Sequence, residues 1–293
     1  MINKGLSYVG LYFLYLLSFL PFWMIYIISD ILFVIIYYVI GYRKKVVKEN
    51  LQNAFPEKTA EERLNIERKF YCYLADLIME TIKMFTISKN EIERRFLAKN
   101  PELVYDTLAK GKSIIAATGH YCNWEMGGQR LSIGIANPRI IVYKPLTNEV
   151  FDKGFNKMRS QFGAILVTMK NTVRKMVEYR HTATFSVLVS DQTPVKGESK
   201  YFTEFLNQPT AVFLGIEKLA KMIDCIVIFC DIRRVKRGYY ECTLVPLFDD
   251  PKNTVEYEIT NAHVHYLEKV IREEPAYWLW SHRRWKYKPD DIN

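Results

Sequence analysis

The chain has 293 residues, 49% of them hydrophobic and 25% charged, with a formal net charge of +9. That balance excludes a disordered chain, and the length allows a sizeable core in one large domain or two small ones. An excess of +9 suits an anionic partner: phospholipid headgroups, nucleic acid or an acidic protein.

From Leu6 to Tyr42 the only formal charge is Asp30. As one helix this stretch would run ~55 Å at ~1.5 Å per residue. A hydrocarbon core of about 30 Å needs only ~20 residues. The surplus predicts a tilted or kinked span, or a broken helix lying partly in the interface, with Pro21 as the break. A secretory signal peptide is a poor alternative, because the run is too long and no small-residue cleavage site follows it. Arg43-Lys44-Lys45 and Lys48 follow the run, and only Lys4 precedes it. This asymmetry places the C-terminal side in the cytoplasm and a basic cluster on anionic lipid.

Thr59 and Glu62 form a capping box that starts a helix running to about Phe85, and Ser88 with Glu91 forms a second. From Lys112 the pattern alternates. Strands are expected at 113–118, 139–143, 164–167, 184–190, 225–232 and 239–245. Helices are expected at 124–133, 148–161, 171–179, 212–222 and 255–272. The fold class is therefore α/β, with a mainly parallel or mixed sheet covered by helices on both faces, preceded by an N-terminal membrane-anchoring helix. Gly238 predicts a hairpin between the last two strands. The expected organisation is an anchor over 1–42 and a body over 43–293, divided into a helical region (43–110) and an α/β region (111–293). No Rossmann fingerprint or P-loop is present.

Gly119-His120-Tyr121-Cys122-Asn123-Trp124-Glu125 follows the first strand of that body. Five residues along a helix turn the chain by about 500°, so His and Glu would diverge there. Across a strand–loop–helix junction they can meet, and a His held by a carboxylate can take a proton from a hydroxyl. With five His and 32 Asp plus Glu, chance matches to this spacing are expected, and His263 to Glu268 is a second one. That pair lies on a predicted helix and reads as a decoy. Asp191-Gln192 follows another strand end, where open α/β sheets place their sites. The five cysteines are odd in number and hold no Cys-x2-Cys pair. They read as reduced thiols in a cytosolic setting, with Cys122 as a packing residue beside the His. Basic clusters stand at 233–237 and 282–288.

The chain resembles the bacterial lipid A biosynthesis acyltransferases, the late acyltransferases of the lysophospholipid acyltransferase superfamily. The resemblance rests on the anchor followed by Arg43-x2-Val46-Val47-x2-Asn50-Leu51-x2-Ala54-Phe55-Pro56-Glu57, and on His120-x4-Glu125 with Asn123 and Trp124. It continues through Val142-Tyr143-Lys144-Pro145 with Asn148, Arg159 with Phe162-Gly163, Asp191-Gln192 and Arg233. It closes on Pro275-x2-Trp278-x-Trp280-x-His282-Arg283-Arg284. Where many members carry Phe-Phe-Gly after the Asp-Gln block, this chain reads Glu204-Phe205-Leu206-Asn207.

The resemblance implies transfer of an acyl group from an acyl carrier protein thioester to a hydroxyl of a phosphorylated membrane lipid, a lipid A precursor. The setting it implies is the cytoplasmic face of the bacterial inner membrane. His120 would be the general base and Glu125 its orienting partner, with Arg159 and Asn123 as donors to developing negative charge. Asn123, Lys144, Asp191, Gln192 and Arg233 would contact substrate. No cofactor, metal or nucleic acid is expected. Two other readings stand beside this one: the same chemistry on an aminolipid or lysophospholipid, and a non-catalytic basic membrane protein.

Overall fold

The structure is a computed structural model and describes residues 4–196 and 201–291. The apolar N-terminal run is broken at Pro21, as its sequence predicts. Helix α1 spans Lys4–Ser18, and α2 spans Phe22–Val34 and continues into a π-helical turn, Ile35–Val39. The end of α1 is capped from a distance. Lys83 Nζ donates to the carbonyls of Ser18 and Leu20 at 2.8 and 2.9 Å, and Thr86 Oγ1 to that of Ser18 at 2.6 Å. These side chains satisfy carbonyls that a helix terminus leaves without partners.

Four more helices precede the central strand of the sheet: α3 (Lys44–Ala54), α4 (Ala60–Lys83), α5 (Lys89–Arg95) and α6 (Glu102–Ala109). The Thr59–Glu62 capping box forms in both directions, and Ser88 caps α5 by accepting from Glu91 N. Helix α4 is the spine of this region. It packs against α1, α2 and α3. Ser29 Oγ donates to Asp76 Oδ1 at 2.7 Å, and Tyr26 OH to Glu80 Oε1 at 3.0 Å. Residues 43–110 are therefore packed into the body and share one apolar core with it, from Phe22 and Tyr37 through Ile114–Ala117 to Trp278 and Trp280. They also hold a strand that the helical reading missed, β1 (Phe96–Ala98), three residues and too short to show a period.

The remaining strands are β2 (Ile114–Thr118), β3 (Arg139–Tyr143), β4 (Ile165–Thr168), β5 (Phe185–Val189), β6 (Phe202–Phe205), β7 (Gln208–Ala211), β8 (Ile226–Lys236) and β9 (Tyr239–Phe248). The remaining helices are α7 (Trp124–Ser132), α8 (Glu149–Ser160), α9 (Thr172–Glu178), α10 (Gly215–Ile223) and α11 (Glu258–Glu273). Seven strands form one mostly parallel sheet in the order β1-β9-β8-β2-β5-β3-β4, with helices on both faces. Every residue of β2 is buried, which explains its unbroken apolar reading. β6 and β7 make a separate hairpin whose turn, Leu206-Asn207, has φ of +52° and +61°. Two residues at positive φ make a tight hairpin turn, but without Gly its sequence signal is weak.

Gly238 turns the predicted β8–β9 hairpin at φ +72°. A Cβ there would overlap Tyr26 Oη and lie 2.8 Å from Arg95 Nη1. Gly238→Ala is expected to destabilise the fold by about 1–3 kcal/mol, from overpacking and a disfavoured backbone angle. Denaturant unfolding in detergent measures it, and an unchanged midpoint would contradict this account of the hairpin.

Candidate active site

Strands β2 and β5 pair in parallel, with Thr118 opposite Val189. Ser190 N donates to Thr118 O at 3.3 Å, which carries the ladder one residue further. Two residues past the last pair stand His120 on one strand and Asp191 on the other. Equal distance from a shared register brings their side chains together at the carboxyl ends of the strands. Asp191 Oδ1 lies 2.6 Å from His120 Nδ1, and Asp191 Oδ2 accepts from His120 N at 2.9 Å. Trp278 Nε1 donates to the same Oδ2 at 2.8 Å. Gly119 makes the approach possible, since a Cβ there would lie 2.7 Å from Leu267 Cδ2 and 3.3 Å from Asp191 Oδ2.

Burial would raise the Asp191 carboxyl. The charge of His120 and the hydrogen bonds from His120 and Trp278 outweigh it and hold the group at about 2. Asp191 is therefore an anion at neutral pH, and Nδ1 of His120 donates to it. The lone pair then sits on Nε2, 3.1 Å from Gln192 Nε2, which donates. Trp124 stands edge-on to the imidazole, with centroids 4.8 Å apart. The His120 side chain is 18% exposed and that of Asp191 only 4%, so the base can be reached while its carboxylate cannot.

Sequence reasoning expected Glu125 to hold the imidazole; in the structure Asp191 makes that contact. Glu125 lies in the first turn of α7, and Arg159 from the last turn of α8 grips it through both Nε and Nη2. The Nε contact is 2.8 Å. Arg159 and Glu125 thus form a half-buried bidentate pair that leaves Nη1 of Arg159 outside it. Asn123 is fully buried and structural. Its Oδ1 caps α7 by accepting from Met126 N at 2.9 Å, and its Nδ2 donates to Glu80 Oε2 at 2.7 Å. Lys144 is exposed just past β3.

The basic cluster at 233–237 is largely neutralised inside the molecule. Arg233 pairs with Asp231 and Glu273, Arg234 with Asp76, and Arg237 with Asp30 and Asp76. In the C-terminal cluster Arg284 is buried, and His282 Nε2 accepts from Thr193 N at 3.2 Å. Asp76, the partner of Arg234 and Arg237, lies far from them in the chain, so its pairing left no local sequence signal. The decoy behaves as expected: His263 and Glu268 both lie on α11, His263 is buried, and Glu268 pairs with Arg272. Cys122 is fully buried, and burial pushes its thiol well above the ordinary range, so it is a packing residue.

Sequence reasoning missed the roles of Trp278 and Glu80. The carboxylate of Glu80 is fully buried and takes hydrogen bonds from Asn123, Tyr240 and Tyr26. Burial raises its carboxyl despite those donors. A Glu among apolar residues of α4 was a usable signal, because a buried carboxylate has to be partnered.

Comparison with known proteins gives the family. The sequence pattern of the bacterial lipid A biosynthesis acyltransferase family matches residues 1–287. A lipid A biosynthesis lauroyltransferase of Escherichia coli is 25% identical over 292 residues, 98% of this chain and 93% of that one. A lipid A biosynthesis acyltransferase of Haemophilus influenzae is 23% identical over 278 residues, 93% and 85% of the two chains. A lipid A biosynthesis palmitoleoyltransferase of E. coli is 20% identical over 251 residues, 84% and 80%. A family of enzymes sets aside the non-catalytic reading. With nearly its whole length matched and a His–carboxylate pair at the carboxyl ends of its central strands, the chain belongs to the bacterial lipid A biosynthesis acyltransferases.

Proposed function

We propose that the protein moves a fatty acyl chain from an acyl carrier protein thioester to a hydroxyl of a lipid A precursor, with His120 as general base and Asp191 as its partner. The observation that carries this reading is the 2.6 Å contact between His120 Nδ1 and a buried carboxylate, which leaves Nε2 to Gln192 on a side chain that is 18% exposed. The acceptor hydroxyl takes the place of the Gln192 amide at Nε2. Its proton moves to Nε2 as its oxygen attacks the thioester carbonyl. The C–S bond then breaks, and the leaving sulfur takes the proton from Nε2. Asp191 stabilises the imidazolium between the two transfers. Arg159, oriented by Glu125, donates from Nη1 to the negative charge on the carbonyl oxygen. The net charge of +9 and the exposed Lys144, Lys153 and Lys157 suit an acidic carrier and a phosphorylated acceptor.

The site is proposed to work at the cytoplasmic face of the inner membrane, with α1 and α2 lying in the interface. Phe22–Val39 is long and apolar enough to cross a bilayer. Yet α2 is docked along α4, and the Ser29–Asp76, Tyr26–Glu80 and Asp30–Arg237 contacts tie it to the body. A helix held in that way favours lying on the membrane over crossing it. Its outer side carries Trp23, Ile27, Ile31 and Val34, α1 adds Tyr8, Tyr12 and Phe13, and Phe19 follows α1, all exposed. Aromatic and aliphatic side chains of this kind settle at the headgroup boundary.

His120→Ala is expected to abolish transfer from acyl carrier protein to a lipid A precursor, and full turnover would overturn the assignment. Asp191→Asn should lower turnover about 10³–10⁴-fold. Glu125→Ala, acting through Arg159, should cost about 10²–10³-fold. The pH profile separates the two carboxylates. The base must be neutral, so activity falls on acidification. Loss of the Asp191 charge removes what stabilises the imidazolium, so the acid limb moves to lower pH in Asp191→Asn and stays in place in Glu125→Ala. The reverse pattern would restore Glu125 as the partner.

With an aminolipid or lysophospholipid as acceptor, no product is expected; product from these and none from the lipid A precursor would reassign the substrate. Replacing Trp23 and Ile27 together by Asp should weaken binding to anionic vesicles at least about tenfold, with the unfolding temperature kept. Undiminished binding would remove α2 from the interface.

A further inference from the structure

Asp191, Gln192 and Thr193 follow one another past the end of β5, and they are held in different ways. Asp191 accepts from His120 N, His120 Nδ1 and Trp278 Nε1. Thr193 donates from its backbone N–H to His282 Nε2 at 3.2 Å and from Oγ1 to Arg284 O at 2.8 Å. The chain is thus pinned on both sides of Gln192. The side chain of Gln192 itself makes one hydrogen bond among the described residues, the 3.1 Å contact with His120 Nε2. It can leave that place by turning about its own side-chain torsions, with Asp191 and Thr193 still held.

The single contact falls on the reactive atom of the base. With Nδ1–H given to Asp191, Nε2 carries the lone pair, and the Gln192 amide nitrogen faces it as the donor. A carboxamide nitrogen is a poor nucleophile, because its lone pair is delocalised into the carbonyl. The base is therefore occupied by a partner that attacks nothing.

This bears on the stability of a bound acyl thioester. Water can take the same route as a lipid hydroxyl. Its proton moves to Nε2 as its oxygen attacks the thioester carbonyl, the C–S bond breaks, and the sulfur takes the proton from Nε2. The products are a free fatty acid and the carrier thiol. Part of the His120 side chain is exposed, so water reaches it. A water that displaces Gln192 exchanges one hydrogen bond at Nε2 for another and gains little else. A lipid acceptor brings the contacts of its chains and headgroup, and part of that binding energy displaces the amide.

We propose that Gln192 is a specificity-determining residue: its amide occupies Nε2 of His120 until the lipid acceptor displaces it, and so restrains hydrolysis of the acyl thioester by water. This rests on the His120–Asp191 reading above.

The test compares the full-length enzyme with its Gln192→Met variant in detergent, with acyl carrier protein thioester as substrate. Met keeps the length of the side chain and removes the donor; Gln192→Ala serves where the Met variant fails to fold. Without acceptor, release of free fatty acid should rise about threefold to tenfold, the weight of one net hydrogen bond. With a lipid A precursor present, KM for the precursor should fall, since its hydroxyl no longer has an amide to displace. Adding His120→Ala to the Gln192→Met variant should remove the extra hydrolysis. Unchanged or slower hydrolysis in the Gln192 variants overturns the proposal, and so does extra hydrolysis that survives His120→Ala. Unchanged hydrolysis with a raised KM would make Gln192 a contact of the acceptor instead of a guard. If His120→Ala alone keeps full transfer, the underlying reading of the base has failed instead.

Discussion

The parallel ladder between β2 and β5 runs from Ile114 opposite Phe185 to Thr118 opposite Val189 without a slip. Almost everything in the site follows from that register. It sets His120 and Asp191 at equal height above the sheet, so the base and its carboxylate need no long side chains to meet. A shift of one residue would turn one of the pair to the opposite face. The burial of all five β2 residues fixes the register, because a slip would have to move a fully buried strand within a packed core. Packing energy in the sheet is thereby converted into a 2.6 Å contact at its edge.

Three buried carboxylates tie the remaining elements to this frame. Asp191 is held by the strand end of β2 and by Trp278. Glu80 joins α4 to α2, to the start of α7 and to β9. Asp76 joins α4 to α2 and to the β8–β9 hairpin. Each is nearly inaccessible, and each takes at least three hydrogen bonds. A buried carboxyl group left without one of its partners is costly, so such groups fix which elements can pack together. Apolar burial supplies the gross stabilisation, and these junctions select one arrangement of it.

Much of this was legible in the chain. Alternating strands and helices gave the α/β class, Pro21 the break between α1 and α2, and Thr59 with Glu62 the start of α4. These are local signals, decided by residues close in sequence. The position of His120 at a strand end was also local. What escaped was the partner of His120. The His-x4-Glu spacing drew attention to Glu125, whereas the true contact spans 71 residues and depends on which strands become neighbours. Strand order is not local: β5 lies beside β2 only because β3 and β4 are placed further out. The partners of Arg234 and Arg237 escaped for the same reason. Arg234 and Arg237 find Asp76 from more than 150 positions away.

Glu80 has a further consequence for the first 42 residues. Tyr26 shares the Glu80 carboxylate with Asn123, the cap of the helix that carries Glu125. Cutting the chain after the apolar run would take one donor from Glu80 and one from Asp76, and would uncover the side of α4 on which Ile25 is packed. The segment is thus an integral wall of the enzyme, and its sequence is constrained from the inside as well as from the lipid side.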